Sequence, residues 1–262
     1  MNIDDIITLY PELKKEWMKF GDGEPWQIIE GVSKTRIIDA INSFNHLDVD
    51  ITKNLTLLDI GCECGLYSMP ATQKFKRVIG IDNDEVSIKR ALKTKDIFIK
   101  NGYDVSNFEA KHLSFEEYSI NQVYQQKKGG DQSMNKGHIQ DAIWEGYKYS
   151  DLTLNSIFHK DGINAILAYE ILHLFDDNTM NIFNKILENI ELIMIQVKFK
   201  EKNQWEWDKS EYATSPTTKI KKWNSYENYA MDEIVKYLKN NNFNNIVVHP
   251  KDSNCGVVIG AL

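Results

Sequence analysis

Leu57-Leu58-Asp59-Ile60-Gly61-Cys62-Glu63-Cys64-Gly65-Leu66-Tyr67, followed by Arg77-Val78-Ile79-Gly80-Ile81-Asp82, reads as a buried strand, a glycine turn opening a helix, and a second strand that ends in an acid. Apolar runs bounded by such a turn mark parallel strands covered on both faces. Gly61 and Gly65 let the backbone come close to a ligand where a side chain would clash. Asp82 lies 21 residues after Gly61. In a βαβ unit that spacing sets a carboxylate beside the ribose hydroxyls of a bound nucleoside.

Glu63 stands where a dinucleotide-binding turn has its second glycine. That glycine makes room for a pyrophosphate, and a glutamate there would also repel one. The loop therefore suits a nucleoside without phosphates. Asp59, at the end of the first strand, agrees with this, because an anion beside the loop suits a cationic ligand group.

Outward from this core the pattern alternates. Strands are expected at Thr56–Ile60, Val78–Ile81, Asn107–His112, Asn164–Tyr169 and Leu192–Phe199. Helices are expected from Gly65 to about Lys74, over Glu85–Lys100 with Ile88, Ala91, Leu92 and Ile99 as its apolar residues, after a cap at Asp176 or Asp177, and around Met231–Leu238. The chain closes with two strands, Asn245–His249 and Gly256–Ala261, joined by a short turn at Pro250–Asn254. The alternation predicts an α/β fold with a doubly wound, mostly parallel sheet. The last connection is too short for anything but an antiparallel hairpin.

Two segments lie outside this minimal fold. Residues 1–45 carry Ile6, Leu9, Leu13, Trp17 and Phe20 at helical spacing, with Pro11 starting a fresh turn and Ser33 capping a second helix that buries Ile37, Ile38, Ile41 and Phe44. Residues 119–161 form an insertion between the third and fourth strands, polar and glycine-rich at Gln125–Asp131, with Ile139, Ile143, Trp144 and Tyr147 at helical spacing. Both segments are expected to leave the core near the ligand pocket, and the first is a candidate lid. The domain reading is thus an N-terminal helical segment, 1–45, and a core, 46–262, with the insertion inside it.

Leu-Asp-Ile-Gly-Cys-x-x-Gly followed by Gly-Ile-Asp resembles motif I and the next acidic motif of the class I S-adenosylmethionine (SAM)-dependent methyltransferases. The final hairpin resembles the end of that family's seven-stranded sheet. The resemblance covers roughly residues 50–262 and departs from the family at Glu63, where Gly is usual. It implies a Rossmann-like core that binds SAM and releases S-adenosylhomocysteine (SAH). Asp59 would then sit near the methionine ammonium, the loop Gly61, Cys62, Glu63 and Gly65 around the methionine and ribose, and Asp82 on the ribose hydroxyls. Asn83 and His112 are candidates for the adenine side. Tyr169-Glu170-Ile171-Leu172-His173 resembles motif IV: Tyr169 is a candidate cofactor contact, and Glu170 and His173 are candidate catalytic groups, His173 as a base.

Composition limits the partners. The 262 residues are 42% hydrophobic and 26% charged, with a net charge of −7. That balance suits a globular protein and disfavours a general affinity for nucleic acid or acidic membranes. Cys62, Cys64 and Cys255 have neither disulfide-framework nor zinc spacing, so no metal site is expected. The acidic start, Met1–Asp5, and the absence of a long apolar run predict no membrane association and a cytoplasmic setting. Lys219–Trp223 is basic with an aromatic, and Trp205, Trp207 and Tyr212 follow the fifth strand where an acceptor pocket would form. The expectation is a methyltransferase acting on an O or N acceptor, a small molecule or metabolite first. A protein or RNA acceptor docked on the insertion is second, and a SAM-binding module without activity third.

Overall fold

The computed structural model describes residues 1–21, 23–25, 27–30, 33–116, 118–119, 161–169, 171–172, 175, 177–198, 229–249 and 255–262. Trp26, Trp144, Glu170, His173, Asp176, the turn at 250–254, the residues 199–228 and all but the two ends of the insertion lie outside them.

Seven strands form one sheet in the order β3-β2-β1-β4-β5-β7-β6. They are β1 (Thr56–Ile60), β2 (Arg77–Asp82), β3 (Phe108–His112), β4 (Ile163–Tyr169), β5 (Leu192–Lys198), β6 (Asn245–His249) and β7 (Cys255–Ala261). β1 pairs in parallel with β2 and β4, β2 with β3, and β4 with β5, whereas β7 runs antiparallel to both β5 and β6. The strand order reverses between β1 and β4, so the crevice of a doubly wound sheet opens beyond the carboxyl end of β1, at Gly61.

β1 is buried along its whole length, as a strand covered on both faces must be. One face packs on α1 (Ile3–Trp17), α2 (Ser33–Ser43), α4 (Ser68–Thr72) and α5 (Glu85–Lys100) through Leu13, Trp17, Ile37, Leu57, Met69, Ala91 and Phe98. The other packs on α6 (Asp177–Leu187) and α7 (Tyr229–Asn240) through Leu58, Ile79, Ile166, Phe183, Ile186, Ile234 and Leu238. A four-residue α3 (Val49–Thr52), capped by Asp48, leads into β1. No described helix is long and apolar enough to cross a membrane.

Several local expectations are corrected. α1 runs unbroken through Pro11, where a new turn was expected. Proline there forgoes a main-chain hydrogen bond, but an Asn2/Asp5 capping box and the burial of Ile6, Leu9, Tyr10, Leu13 and Trp17 hold the helix. α4 is shorter than expected, starting at Ser68 because Gly65–Tyr67 belong to the turn. α5 has its expected limits, but it buries Arg90 and Thr94 beside Ile88, Ala91, Ile97 and Phe98 and turns Leu92 and Ile99 to solvent. On α2, Ala40 takes the buried place and Ile38 is only half-buried.

The insertion returns at Asp161, at the amino end of β4, the opposite end of the sheet from Gly61. Tyr118, two residues before the described chain breaks off, donates its hydroxyl to Asp161 Oδ2 at 2.7 Å. The return is thus remote from the crevice.

Candidate functional site

The turn after β1 is built from alternating left-handed residues. Gly61, Glu63 and Gly65 have φ of 70°, 48° and 76°. A backbone of this kind cannot pair with itself regularly, so its polar groups find partners elsewhere. Gly61 N–H and Cys62 N–H both donate to Ile81 O, at 2.9 and 3.0 Å, and Gly65 N–H donates to Cys62 O at 2.8 Å. A Cβ on Gly61 would fall 2.9 Å from Ile171 Cδ1, and one on Gly65 would fall 3.3 Å from Ala91 Cβ. The glycines are thus required by chain conformation and packing as well as by any ligand.

Asp82, the last residue of β2, orders this turn from the next strand. Its Oδ2 accepts Glu63 N–H at 3.0 Å and its Oδ1 accepts Asp84 N–H at 2.9 Å. Asp84 in turn caps α5 by accepting Val86 and Ser87 N–H. Burial pushes the Asp82 carboxyl up, offset in part by those two N–H groups. Each oxygen keeps acceptor capacity beyond its one backbone partner. His112 stands opposite Asp82 in the β2–β3 register, and its ring Nε2 lies 3.0 Å from the Asn83 carbonyl oxygen. Asp82, Asn83 and His112 therefore meet at one corner of the crevice, with Asn83 and His112 exposed.

Asp59 is almost fully enclosed, 2% exposed, and accepts the Ser68 hydroxyl on Oδ2. Burial pushes its carboxyl up to about 7; Ser68 pulls the other way and the nearby Asp82 adds to the rise. A buried carboxylate with so little compensation favours either a proton or a cation beside it. Cys62 and Cys64 are free and buried, and burial pushes both thiols well up, so neither is a ready thiolate.

Tyr169 ends β4 and faces the α2 side. Its hydroxyl is 2.7 Å from Ser43 Oγ, and its ring meets Tyr67 edge-on at 5.2 Å. Glu170 and His173 lie outside the described residues. One participant escaped the sequence reading. Gln27, between the two expected N-terminal helices, is buried against the turn and makes hydrogen bonds to four of its residues. The signal that could have found it is Glu63 itself: a charged residue at a left-handed turn position calls for a donor.

The chemistry of this set fits an uncharged nucleoside joined to a cationic group. Asp82 offers oriented acceptors suited to a diol, Asp59 a buried anion suited to an ammonium, and the turn carries no cationic side chain for phosphates.

No family model matches the chain. A curated relative, the 23S rRNA (uracil(1939)-C(5))-methyltransferase RlmD of Francisella tularensis subsp. novicida, is 30% identical over 128 residues, covering 44% of this chain and 27% of the relative. The chain thus matches about a quarter of the length of that relative. Among solved structures, magnesium protoporphyrin IX methyltransferase (ChlM) from Synechocystis PCC 6803 with bound SAH aligns with a TM-score of 0.50 at 12% identity, over 99% of this chain and 97% of that one. Its SAM-bound form aligns with a TM-score of 0.46 at 11% identity, over 98% and 96%. The chain thus shares the fold of that SAH-bound methyltransferase, a seven-stranded, mostly parallel sheet between helices.

Proposed function

We propose that this protein binds SAM in the crevice beyond β1 and transfers its methyl group to an O or N acceptor on a small molecule or metabolite. The observation that carries the reading is the pairing of Asp82 with the left-handed turn. A carboxylate is held by two backbone N–H groups at the end of β2, next to a turn whose conformation only Gly61, Glu63 and Gly65 together supply.

SAM supplies an activated methyl on a sulfonium, so the protein's task is to position the reactants and exclude water. Asp82 accepts the ribose hydroxyls, Asp59 faces the methionine ammonium, and Asn83 and His112 border the adenine. Tyr169, fixed by Ser43 and Tyr67, forms a wall of the pocket. Where the acceptor must lose a proton, Glu170 and His173, which follow Tyr169 in the chain, are the candidate bases. An acceptor that is already deprotonated needs neither.

A second reading, an RNA acceptor, is favoured by the likeness to RlmD. Methylation at a uracil carbon needs a nucleophile to activate the ring, and the buried thiols of Cys62 and Cys64 do not offer one. Cys255, at the start of β7, is then the residue to test. Calorimetry with SAH tests the cofactor: micromolar binding at one site is expected, and no binding by folded protein overturns the reading. Methyl transfer from labelled SAM to a metabolite extract or to RNA separates the acceptor classes, and binding without transfer to either supports the inactive module.

A further inference from the structure

The N-terminal segment does more than cover the sheet. Gln27 reaches the glycine turn with both ends of its amide. Its Nε2 donates to Cys62 O at 3.2 Å, while its Oε1 accepts Leu66 N–H at 2.9 Å and the Cys64 thiol at 3.2 Å. Its own backbone N–H donates to Glu63 Oε2 at 3.1 Å. One residue thus bonds to Cys62, Glu63, Cys64 and Leu66.

The same stretch is tied to the core from behind. Buried Arg90 on α5 donates to Trp17 O and to Gly23 O. Trp17 Nε1 donates to the Thr94 hydroxyl at 2.8 Å, and Thr94 donates to Cys64 O at 2.7 Å. The turn is therefore held by β2 through Ile81 and Asp82, and by the N-terminal segment and α5 through Gln27 and Thr94.

Glu63 acquires a reason in this frame. A non-glycine residue in the left-handed region is strained, and glycine would sit there freely. Glu63 accepts the strain and gains a carboxylate that takes the Gln27 N–H. The substitution replaces conformational freedom with a clasp.

We propose that Gln27 is a positioning residue for the cofactor: its amide and the Gln27–Glu63 clasp hold the turn in its ligand-binding shape, and so make cofactor affinity depend on the N-terminal segment. This rests on the reading of the crevice as a SAM site. Without the amide, Cys62 O keeps only its turn bond to Gly65, Leu66 N–H loses its partner inside the protein, and the turn can relax toward conformations that leave the ligand's side open.

The test is SAH binding by calorimetry, with melting temperature and circular dichroism as controls, on wild type, Gln27→Met, Gln27→Ala, Glu63→Gly and the Gln27→Met/Glu63→Gly double variant. Gln27→Met keeps the bulk of the side chain and removes both polar ends, so it separates packing from hydrogen bonding. Gln27→Met and Gln27→Ala are expected to weaken SAH about tenfold or more while staying folded at the assay temperature. The double variant should lose less than the product of its two single losses, because both loosen the same turn, Gln27→Met by removing the amide bonds to Cys62 and Leu66 and Glu63→Gly by removing the carboxylate that takes the Gln27 backbone N–H. Folded Gln27 variants that bind SAH within twofold of wild type, with only the melting temperature lowered, overturn the positioning role and leave a structural one. Strictly multiplicative losses overturn the joint hold of the amide and the clasp on the turn. Wild-type protein that fails to bind SAH overturns the cofactor reading itself, a different result from either.

Discussion

The two ends of the sheet are built on opposite electrostatic principles. At the carboxyl end, Asp59 and Asp82 are pushed up by burial, and Asp82 adds to the rise of Asp59. At the amino end, Arg77 makes a two-pronged ion pair with Glu109, 2.9 Å at each prong, and lies 3.6 Å from Asp161. Lys111 and the Tyr118 hydroxyl complete that cluster on Asp161. Glu109 is held below the usual carboxylate range by Arg77; Asp161, though burial pushes it up, is held down by Tyr118, Lys111 and Arg77. Among the described residues, the first end meets its two carboxyls with backbone N–H groups and a hydroxyl, and the second meets its carboxylates with cationic side chains. Under the proposed function the first arrangement is the binding end and the second holds the chain together.

The most severe way to break the contrast is at the turn. Gly61→Val would put a β-branched residue at φ 70° and drive its Cβ to 2.9 Å from Ile171. SAH binding should be abolished and the protein destabilised by about 2–4 kcal/mol. Calorimetry and thermal melts check both, and a variant that binds SAH normally would show that the ligand lies elsewhere.

Asp82→Ala attacks the same end more locally. It removes the acceptor for the proposed ribose contact and leaves Glu63 N–H and Asp84 N–H without their carboxylate. Affinity for SAH should fall by one to two orders of magnitude, a charge-assisted bond carrying about 1.5–3 kcal/mol. Circular dichroism should show a retained fold. Unchanged affinity in the folded variant would sink the ribose assignment.

How much of this was legible in the sequence follows the same division. The β1, α5 and β6 limits were read correctly because apolar runs, helical spacing and glycine turns are local signals. The strand ends that carry Gly61 and Asp82 came with them. What escaped depends on distant partners. Gln27 is 35 to 39 residues from the turn atoms it contacts, and no periodicity announces an irregular stretch that docks by its amide. Arg90 and Thr94 are buried on α5 because the N-terminal segment brings Trp17 and Gly23 to them, which apolar spacing, with Leu92 and Ile99 exposed, does not announce. The amino-end cluster joins Arg77, Glu109 and Asp161 from three strand starts, a juxtaposition that only the sheet order creates.

Asp59→Asn sharpens the comparison by separating stability from binding. The Asp59 carboxyl is raised to about 7 from 3.8, so the native state holds a proton that the unfolded chain releases between those values. Stability from this group is therefore present at acid pH and lost as pH rises toward 7. The Asn variant lacks that loss and should be more stable than wild type above pH 7, by about 1–3 kcal/mol, with the difference shrinking toward pH 4. It should also bind SAH about tenfold more weakly, having no charge for the ammonium. In wild type, SAH affinity should rise with pH through about 7 as binding expels the proton. Thermal melts across pH and calorimetry in buffers of different ionisation heat check these, and a variant less stable at pH 8 would show that the ionised carboxylate is already compensated.

The smallest effect belongs to the amino end. Asp161→Asn keeps the shape at the base of the insertion but removes the charge that Arg77, Lys111 and Tyr118 share. Arg77 retains Glu109, and the cluster is partly exposed, so solvent screening limits the loss to about 1 kcal/mol, or a fall of about 2–4 °C in melting temperature. The sign of its pH dependence is opposite to that of Asp59. A carboxyl held low in the folded protein contributes stability that is full at neutral pH and lost as pH falls through its folded value, below the ordinary value of about 3.9. Wild type and variant should therefore differ at pH 7 and converge in strong acid. SAH affinity should stay within twofold, because the cluster and the crevice lie at opposite ends of the strands. A tenfold loss of SAH binding in Asp161→Asn would mean that the two ends are coupled through β2, and the division between a binding end and a holding end would have to be abandoned.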